Sequence, residues 1–300
     1  MAASDTAEGA VAGEPAAWQI ERLQPGDADD LCPLSIEVGW NQVAADWRLM
    51  LGLGHGYGIR GTGGAWIASA LALPLGPALT WLSMVLVTQP ARGQGFGTRL
   101  LSRCLAEVEV SGATAGLDAT ELGRPIYLPL GFRDVYALSR WHAGQGVQQA
   151  VPPPAGIVVR AATSDDLSRI CSYDPERSGL QRAPILAHLL ARSAGLASIA
   201  LRPDGALAGY ALGRDGYRAL HAGPVVAEDE AIGLALLSNV LAGTDQPVIA
   251  DVPDQHDGIR RWLAEQGASA PRGFMRMLRG DGARIDDGDR IFALAGPELA

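Results

Sequence analysis

An apolar strand that runs into a glycine-rich turn and then into a helix constrains this sequence more than any other feature. The stretch is Val85-Leu86-Val87-Thr88-Gln89-Pro90-Ala91-Arg92-Gly93-Gln94-Gly95-Phe96-Gly97-Thr98. Backbone N–H groups converge in such a turn, and the N-terminus of the following helix adds about half a positive charge. Glycines let the backbone approach a ligand without a Cβ clash, and Arg92 adds a fixed positive charge. The segment therefore predicts an anion site suited to a pyrophosphate.

We compare this segment with three known nucleotide-binding patterns. A P-loop requires a Lys after its last glycine, and none is present. A dinucleotide fingerprint places Gly-x-Gly-x-x-Gly early in a βαβ unit, whereas Gly93, Gly95 and Gly97 alternate and follow a third or fourth strand. The third pattern is Gln/Arg-x-x-Gly-x-Gly/Ala, which the run from Arg92 to Gly97 matches. In this pattern the chain resembles the GCN5-related N-acetyltransferases (GNAT), whose loop of this form binds coenzyme A.

A second motif agrees with the first. The run Ile126-Tyr127-Leu128-Pro129-Leu130-Gly131-Phe132 resembles the family's Leu-Tyr-x-x-x-Gly-Phe, on the last helix and its exit strand. The resemblance covers about residues 18–142, and it is nearest to bacterial members with tandem domains. One departure is Thr120, which stands where the family often has an Asn that contacts the cofactor.

The resemblance implies a role for each matching residue. Tyr127 would act as the general acid that protonates the departing thiolate. A backbone N–H near Val85 would stabilise the oxyanion, and the amides of Val85 and Val87 would hold the pantetheine arm. Acetyl-CoA would be the co-substrate, with no metal. The residues expected to bind it are Val85, Leu86, Val87, Arg92, Gly93, Gln94, Gly95, Phe96, Gly97, Thr98 and Thr120.

The sequence identifies the residues on the acceptor side less clearly than those that would bind the cofactor. In this family the loop after the first helix lines the acceptor pocket, which favours Glu37, Trp40, Asn41 and Asp46. Trp47 could also wall an amine pocket, although a Trp on a helix is more often part of a core. The general base stays open among five candidates: Glu37, Asp46, His55, Asp118 and Glu121.

Three consecutive prolines, Pro152–Pro154, divide the chain near its midpoint. We predict a disordered tail at 1–14, a first GNAT domain at 15–145 that binds acetyl-CoA, a linker at 146–156, and a second GNAT-like domain at 157–300. The order of predicted elements repeats in the second half, which indicates an internal duplication. The fold class is α/β (α+β): two tandem GNAT-like domains, each a mixed, mostly antiparallel twisted sheet flanked by helices.

The second half lacks both motifs that indicate coenzyme A binding and catalysis in the first half. Its equivalent of the coenzyme loop is Val226-Ala227-Glu228-Asp229-Glu230-Ala231, which has no glycine and three acids that would repel a pyrophosphate. A Tyr-x-x-x-Gly-Phe motif is absent from the sequence of this half as well. We predict that it binds no coenzyme A and instead packs on the first domain and shapes the acceptor pocket. The cluster Asp251, Asp254, His256 and Asp257 is predicted to be a polar loop rather than a metal site.

The net charge and the cysteine content limit the possible functions and locations of the protein. The formal net charge of -9 argues against a basic groove for nucleic acid. The three cysteines are far apart and indicate a reducing, cytoplasmic location. No apolar run reaches the length of a membrane span. We therefore predict an N-acetyltransferase for a primary amine of a small molecule or amino-acid-like acceptor. A non-catalytic acetyl-CoA sensor and an enzyme for longer acyl groups are the alternatives, and a homodimer is left open.

Overall fold

The computed structural model describes residues 18–147, 149–193, 195–280 and 286–300. The predicted tail at 1–14 lies outside these residues. In the first half the helices and strands alternate in the order expected of a mixed α/β fold. They are β1 Glu21–Leu23, α1 Ala28–Glu37, α2 Ala44–Leu53, β2 His55–Arg60, β3 Trp66–Pro74, β4 Leu79–Val87, α3 Phe96–Ser111, β5 Thr114–Thr120, α4 Arg124–Tyr127 and β6 Arg133–Ala143.

The second half repeats this order and adds one strand. Its elements are β7 Val158–Ala161, α5 Leu167–Ser178, α6 Ala183–Arg192, β8 Ser198–Leu201, β9 Leu207–Arg214, β10 Leu220–Ala227, α7 Glu230–Ala242, β11 Val248–Pro253, α8 Asp257–Glu265, β12 Ser269–Arg279 and β13 Ile291–Ala293. The helix that carries Tyr127 is short, because α4 ends at Tyr127 and a 3₁₀ turn follows. Pro129 in that turn has no N–H to donate to a continuing helix.

The two halves share one sheet because each half receives a strand from the other. The strand order is β1-β2-β3-β4-β5-β12-β6-β11-β10-β9-β8-β7, and β13 pairs with β10. Strand β12 of the second half pairs antiparallel with β5 of the first, and β6 of the first half pairs antiparallel with β11 of the second. The exchanged strands β6 and β12 also pair with each other. All these contacts join residues far apart in sequence, so local patterns do not encode them.

Helices cover both faces of this sheet. One face, which we call the α1 face, carries α1, α2, α5 and α6 over a single apolar core. The other, the α3 face, carries α3 and α4 over the first half and α7 and α8 over the second. Strands buried on both faces read as nearly continuous apolar runs, which is why β3 and β4 are apolar along most of their length. Within the described residues, no helix has the length and apolar character needed to cross a membrane.

Two buried ion pairs hold the exchanged strands in place. Arg140 of β6 donates from Nε and Nη2 to the carboxylate of Asp251 on β11, at 2.7 and 2.8 Å. Arg276 of β12 donates in the same way to Asp118 on β5, at 2.9 Å for each bond. Both arginines are the eighth residue of an eleven-residue strand. The two halves therefore carry the same arginine–aspartate pair at equivalent exchange points.

We expect Arg276→Met to lower the free energy of unfolding by about 3–5 kcal/mol, because it leaves the buried Asp118 carboxylate without its counterion. The guanidinium also lies 4.6 Å from the centre of the Trp81 ring, a contact that the variant loses. Urea unfolding followed by tryptophan fluorescence would measure this change.

The matched control is Arg279→Met on the same strand, where the side chain pairs with Glu109 near the surface. It should cost less than about 1 kcal/mol. Equal losses in the two variants would contradict a special role of the buried pair.

Candidate active site

The site begins where β4 and β5 separate. These strands pair in parallel only from Leu79–Trp81 to Thr114–Gly116. Beyond that point β4 carries a bulge, marked by a register shift against β3 and by Met84 at φ 51°. A left-handed residue other than glycine costs on the order of 1–2 kcal/mol, and here Ser69 donates a 2.8 Å hydrogen bond to the Met84 carbonyl. The bulge turns the end of β4 away from β5 and leaves a gap in the sheet.

A cavity of about 910 Å³ occupies this gap. It is lined on one side by the end of β4, the glycine-rich loop and the start of α3, and on the other by the end of β5 and by α4. The predicted cofactor residues that line it are Val85, Leu86, Val87, Arg92, Gly93, Gly95, Phe96, Gly97, Thr98 and Thr120. Gln94 is exposed and stands outside the lining.

The glycine-rich loop is shaped by backbone conformations that only glycine adopts freely. Gly93 and Gly95 have φ values of 76° and 77°, and α3 begins directly after them. Open space surrounds the Cβ position of both residues, so a ligand can approach the backbone closely. Arg92 extends along the loop and donates from Nε to the carbonyl of Val87 at 3.2 Å. The arrangement presents N–H groups and one positive charge to the cavity.

Tyr127 lies on α4 and lines the same cavity. Its ring packs edge-on against Phe132, with 5.8 Å between ring centres. Burial raises the pKa of the Tyr127 phenol to about 12. The hydroxyl therefore keeps its proton at neutral pH and can donate it.

The residues predicted for the acceptor side divide into two groups. Trp40 lines the cavity. Glu37 accepts a 2.6 Å hydrogen bond from the N–H of Gln89 and so holds the start of the glycine-rich loop. Asn41 is buried and binds the backbone at Arg218 and Ala219 of the second half, outside the cavity lining.

The candidates for the general base also fall in different places. Asp118 and Glu121 line the cavity, whereas Asp46 and His55 do not. Asp46 is buried in ion pairs with Arg192 and Arg214, and it also caps the start of α2. Burial raises the pKa of Asp118, although Arg276 favours its ionised form. His55 contacts Arg22 at the far edge of the sheet, and Trp47 is fully buried in the core.

Sequence reasoning missed the part of the cavity that comes from the exchanged strands and from the segment after β13. The lining residues in this group are Arg140, Pro271, Arg272, Gly273, Phe274, Pro297 and Glu298. Trp81 donates a 2.8 Å hydrogen bond from Nε1 to the Pro297 carbonyl, which holds Glu298 beside the cavity. Glu298 is buried and ion-paired with Arg214. Gln42 also lines the cavity, and its Oε1 atom has no hydrogen-bond partner among the described residues.

The corresponding gap of the second half is filled by the chain itself. Strands β10 and β11 pair only at Leu220–Val248 and His221–Ile249 before they separate. β13 enters there, pairs antiparallel with the end of β10, and is followed by Leu294, whose N–H donates to the Asp251 carbonyl at 2.8 Å. The Phe292 ring fills the space at Gly233 of α7.

A side chain of the same chain also caps the N–H groups at the start of α7. Asp229 accepts a 2.9 Å hydrogen bond from the N–H of Ile232, and Glu228 is ion-paired with Arg202 and Arg177. Side chains of the predicted polar cluster are also bonded to other parts of the protein. Asp254 accepts a hydrogen bond from Ser139, and His256 contacts the carbonyls of Gly288 and Ile291. Among the residues that the structure describes, no three metal-ligating side chains come together.

Comparisons with known proteins agree with this architecture. The family model for the acetyltransferase (GNAT) domain matches residues 170–293. The uncharacterized N-acetyltransferase YitH of Bacillus subtilis (strain 168) is 24% identical over 252 residues, which cover 83% of this chain and 87% of YitH.

Two solved structures extend the likeness to the whole fold. A putative acetyltransferase from Pyrococcus horikoshii superimposes with a TM-score of 0.74 at 16% identity, covering 98% of this chain and 100% of that one. A tandem GNAT protein from the clavulanic acid biosynthesis pathway has a TM-score of 0.60 at 16% identity, covering 89% of this chain and 100% of its own.

We expect calorimetry to find one acetyl-CoA site per chain. Gly95→Glu should abolish it, because the variant places a carboxylate and a Cβ at a left-handed position of the anion site. The matched change in the second half is Asp229→Asn, at the cap of α7, and it should leave the affinity unchanged. Two sites in the wild type, or binding that survives Gly95→Glu, would contradict the assignment to the first half.

Proposed function

We propose that this chain, which is similar to GNAT acetyltransferases in sequence and fold, transfers an acetyl group from acetyl-CoA to a primary amine of a small-molecule acceptor. The observation that carries the proposal is the cavity between β4 and β5. One end of it is the glycine-rich loop with an arginine, and Tyr127 stands beside it. The other end is lined by Trp40, Gln42 and Glu298. These two ends suit a phosphorylated donor and a cationic acceptor.

The donor side is supported by the bulge in β4. Because β4 has no partner on its β5 side beyond Trp81, the N–H groups of Val85 and Val87 are open toward the gap, whereas the Val87 carbonyl already accepts a hydrogen bond from Arg92. A pantetheine arm would extend the sheet there as a strand does. Its pyrophosphate would lie on the loop at the start of α3. A backbone N–H near Val85 would then face the thioester oxygen and stabilise the charge that develops on it.

The ammonium form of the acceptor has to lose two protons, one before the attack and one from the tetrahedral intermediate, and the departing thiolate has to gain one. The amine nitrogen attacks the thioester carbon and forms the new C–N bond, and the C–S bond breaks. Tyr127 donates its proton to the departing thiolate, which a phenol with a pKa of about 12 holds at neutral pH. The phenolate is reprotonated from solvent.

We assign the ammonium end of the acceptor to Glu298 and Gln42. Burial raises the pKa of the Glu298 carboxyl, while Arg214 and Arg140 favour its ionised form. A carboxylate in this setting can hold an ammonium group and accept its proton. The Gln42 amide lies beside it. Its Oε1 atom lacks a partner among the described residues and can accept a second N–H of the acceptor.

Tyr127→Phe should lower kcat by about 10²- to 10⁴-fold, since it removes the proton donor and leaves the ring in place. The measurement is steady-state release of free thiol from acetyl-CoA with a panel of primary amines, and mass spectrometry would identify the acetylated product. The affinity for acetyl-CoA should not change. Tight acetyl-CoA binding with no turnover of any amine by the wild type would favour the sensor, and a preference for longer acyl groups would favour the other alternative.

Glu298→Gln should lower kcat/KM for the amine by a similar factor of about 10²–10⁴, because the amide can no longer accept a proton. Calorimetry should find unchanged acetyl-CoA binding, which also shows that the variant is folded. The control is Glu265→Gln on the exposed surface of α8, which should behave as the wild type. Full activity of Glu298→Gln would remove this residue from the mechanism.

A further inference from the structure

Arg272 stands at an unusual position in the sheet. It lies near the start of β12, directly opposite Arg140 of β6 in the strand register. Residues opposite each other on neighbouring strands project to the same side of a sheet, so both guanidinium groups lie on the α1 face. Both also line the cavity. The acceptor end of the cavity therefore contains two arginines side by side.

Like charges directly opposite on a strand pair are destabilising. The Arg140 side chain is compensated, because Asp251 engages it through two hydrogen bonds of 2.7 and 2.8 Å. Arg272 is half-buried, and within the described residues its side chain makes no hydrogen bond or ion pair. Burial and the neighbouring Arg140 lower the pKa of the Arg272 guanidinium. The cavity thus contains a partly desolvated positive charge that has no direct ion-pair partner among the described residues, although Asp251 acts on it through space.

We infer that Arg272 binds a carboxylate of the acceptor, so that the acceptor is an amine that also carries a carboxylate group. This inference rests on the proposed function, because it names the acceptor of that reaction. The planar fork of a guanidinium matches a single carboxylate through two parallel hydrogen bonds. Arg140 has its Nε and Nη2 donors committed to Asp251 and contributes mainly its electric field.

The phosphates of acetyl-CoA are a poorer match for Arg272. The glycine-rich loop that suits them begins α3, on the other face of the sheet, and it has its own cation in Arg92. Glu298, by contrast, is close enough to Arg140 for each to affect the pKa of the other, and Arg140 does the same to Arg272. A negative group for the ammonium and a positive group for the carboxylate thus flank Arg140. This pattern fits a zwitterionic amino acid.

The test compares matched acceptors that differ only in the carboxylate. Free L-amino acids and their carboxamides are assayed as acceptors for acetyl-CoA by thiol release. The wild type should favour the free acid in kcat/KM by about 10- to 100-fold, the range of hydrogen bonds to charged groups. Arg272→Met should lose this preference while kcat/KM for the carboxamide and KM for acetyl-CoA stay unchanged. Arg272→Lys should keep part of it. Arg279→Met, on the same strand outside the cavity lining, is the control and should keep all of it.

A second measurement does not depend on turnover. N-acetyl-L-amino acids and their amides are titrated by calorimetry into the enzyme saturated with coenzyme A. Tighter binding of the acids by the wild type, lost in Arg272→Met, supports the carboxylate site even if no amine is acetylated, and in that case only the proposed reaction fails. Equal binding of acids and amides by the wild type overturns the inference. A loss of acetyl-CoA affinity in Arg272→Met overturns it too, because Arg272 would then serve the donor.

Discussion

The structure depends on two arginine–aspartate pairs buried under one continuous sheet. Each pair joins a strand of one half to a strand of the other, Arg140 to Asp251 and Arg276 to Asp118. A buried ion pair adds little net stability compared with apolar packing, but breaking one is costly, so such pairs fix which strands lie together. Here the pairs make the strand exchange specific, since a shifted register would leave charges buried without partners. In that register β12 lies beside β5 and supplies part of the wall of the candidate active-site cavity.

The gap between the separating parallel strands is open in the first half and filled in the second. In the first half, the β4 bulge opens a cavity between β4 and β5 that extends to the glycine-rich loop and to Glu298. In the second half, β13 occupies the equivalent gap and the acids at the start of α7 satisfy that helix. The chain that fills the second gap continues to Glu298, beside the first. The second half thus has its own gap filled and contributes side chains to the wall of the cavity in the first half.

Local sequence patterns predicted the fold class and the strand–turn–helix that carries the glycine-rich loop. The spacing of Arg92, Gly93, Gly95 and Gly97 and the strand–turn–helix around them are encoded within a few residues, and the structure has these elements where the patterns put them. The roles of these residues stay predictions. The sequence could not reveal Arg272 or Glu298, because their place in the cavity depends on contacts across more than 100 residues, Arg272 with Arg140 and Pro297 with Trp81. Asn41 and Asp46 were chosen by their position after α1, yet contacts with the second half bury both residues.

The interleaved strands set the order in which the protein can become active during its synthesis. A ribosome releases the first half before β12 and Glu298 have been made, so the first half emerges with its cavity wall missing and with β5 unpaired along one edge. Many protein domains fold as separate units during synthesis, as they emerge from the ribosome. This chain instead needs β12, and a truncated product that stops before β12 would carry the glycine-rich loop without the opposite wall of the cavity. The cavity is therefore complete only when both halves have folded together.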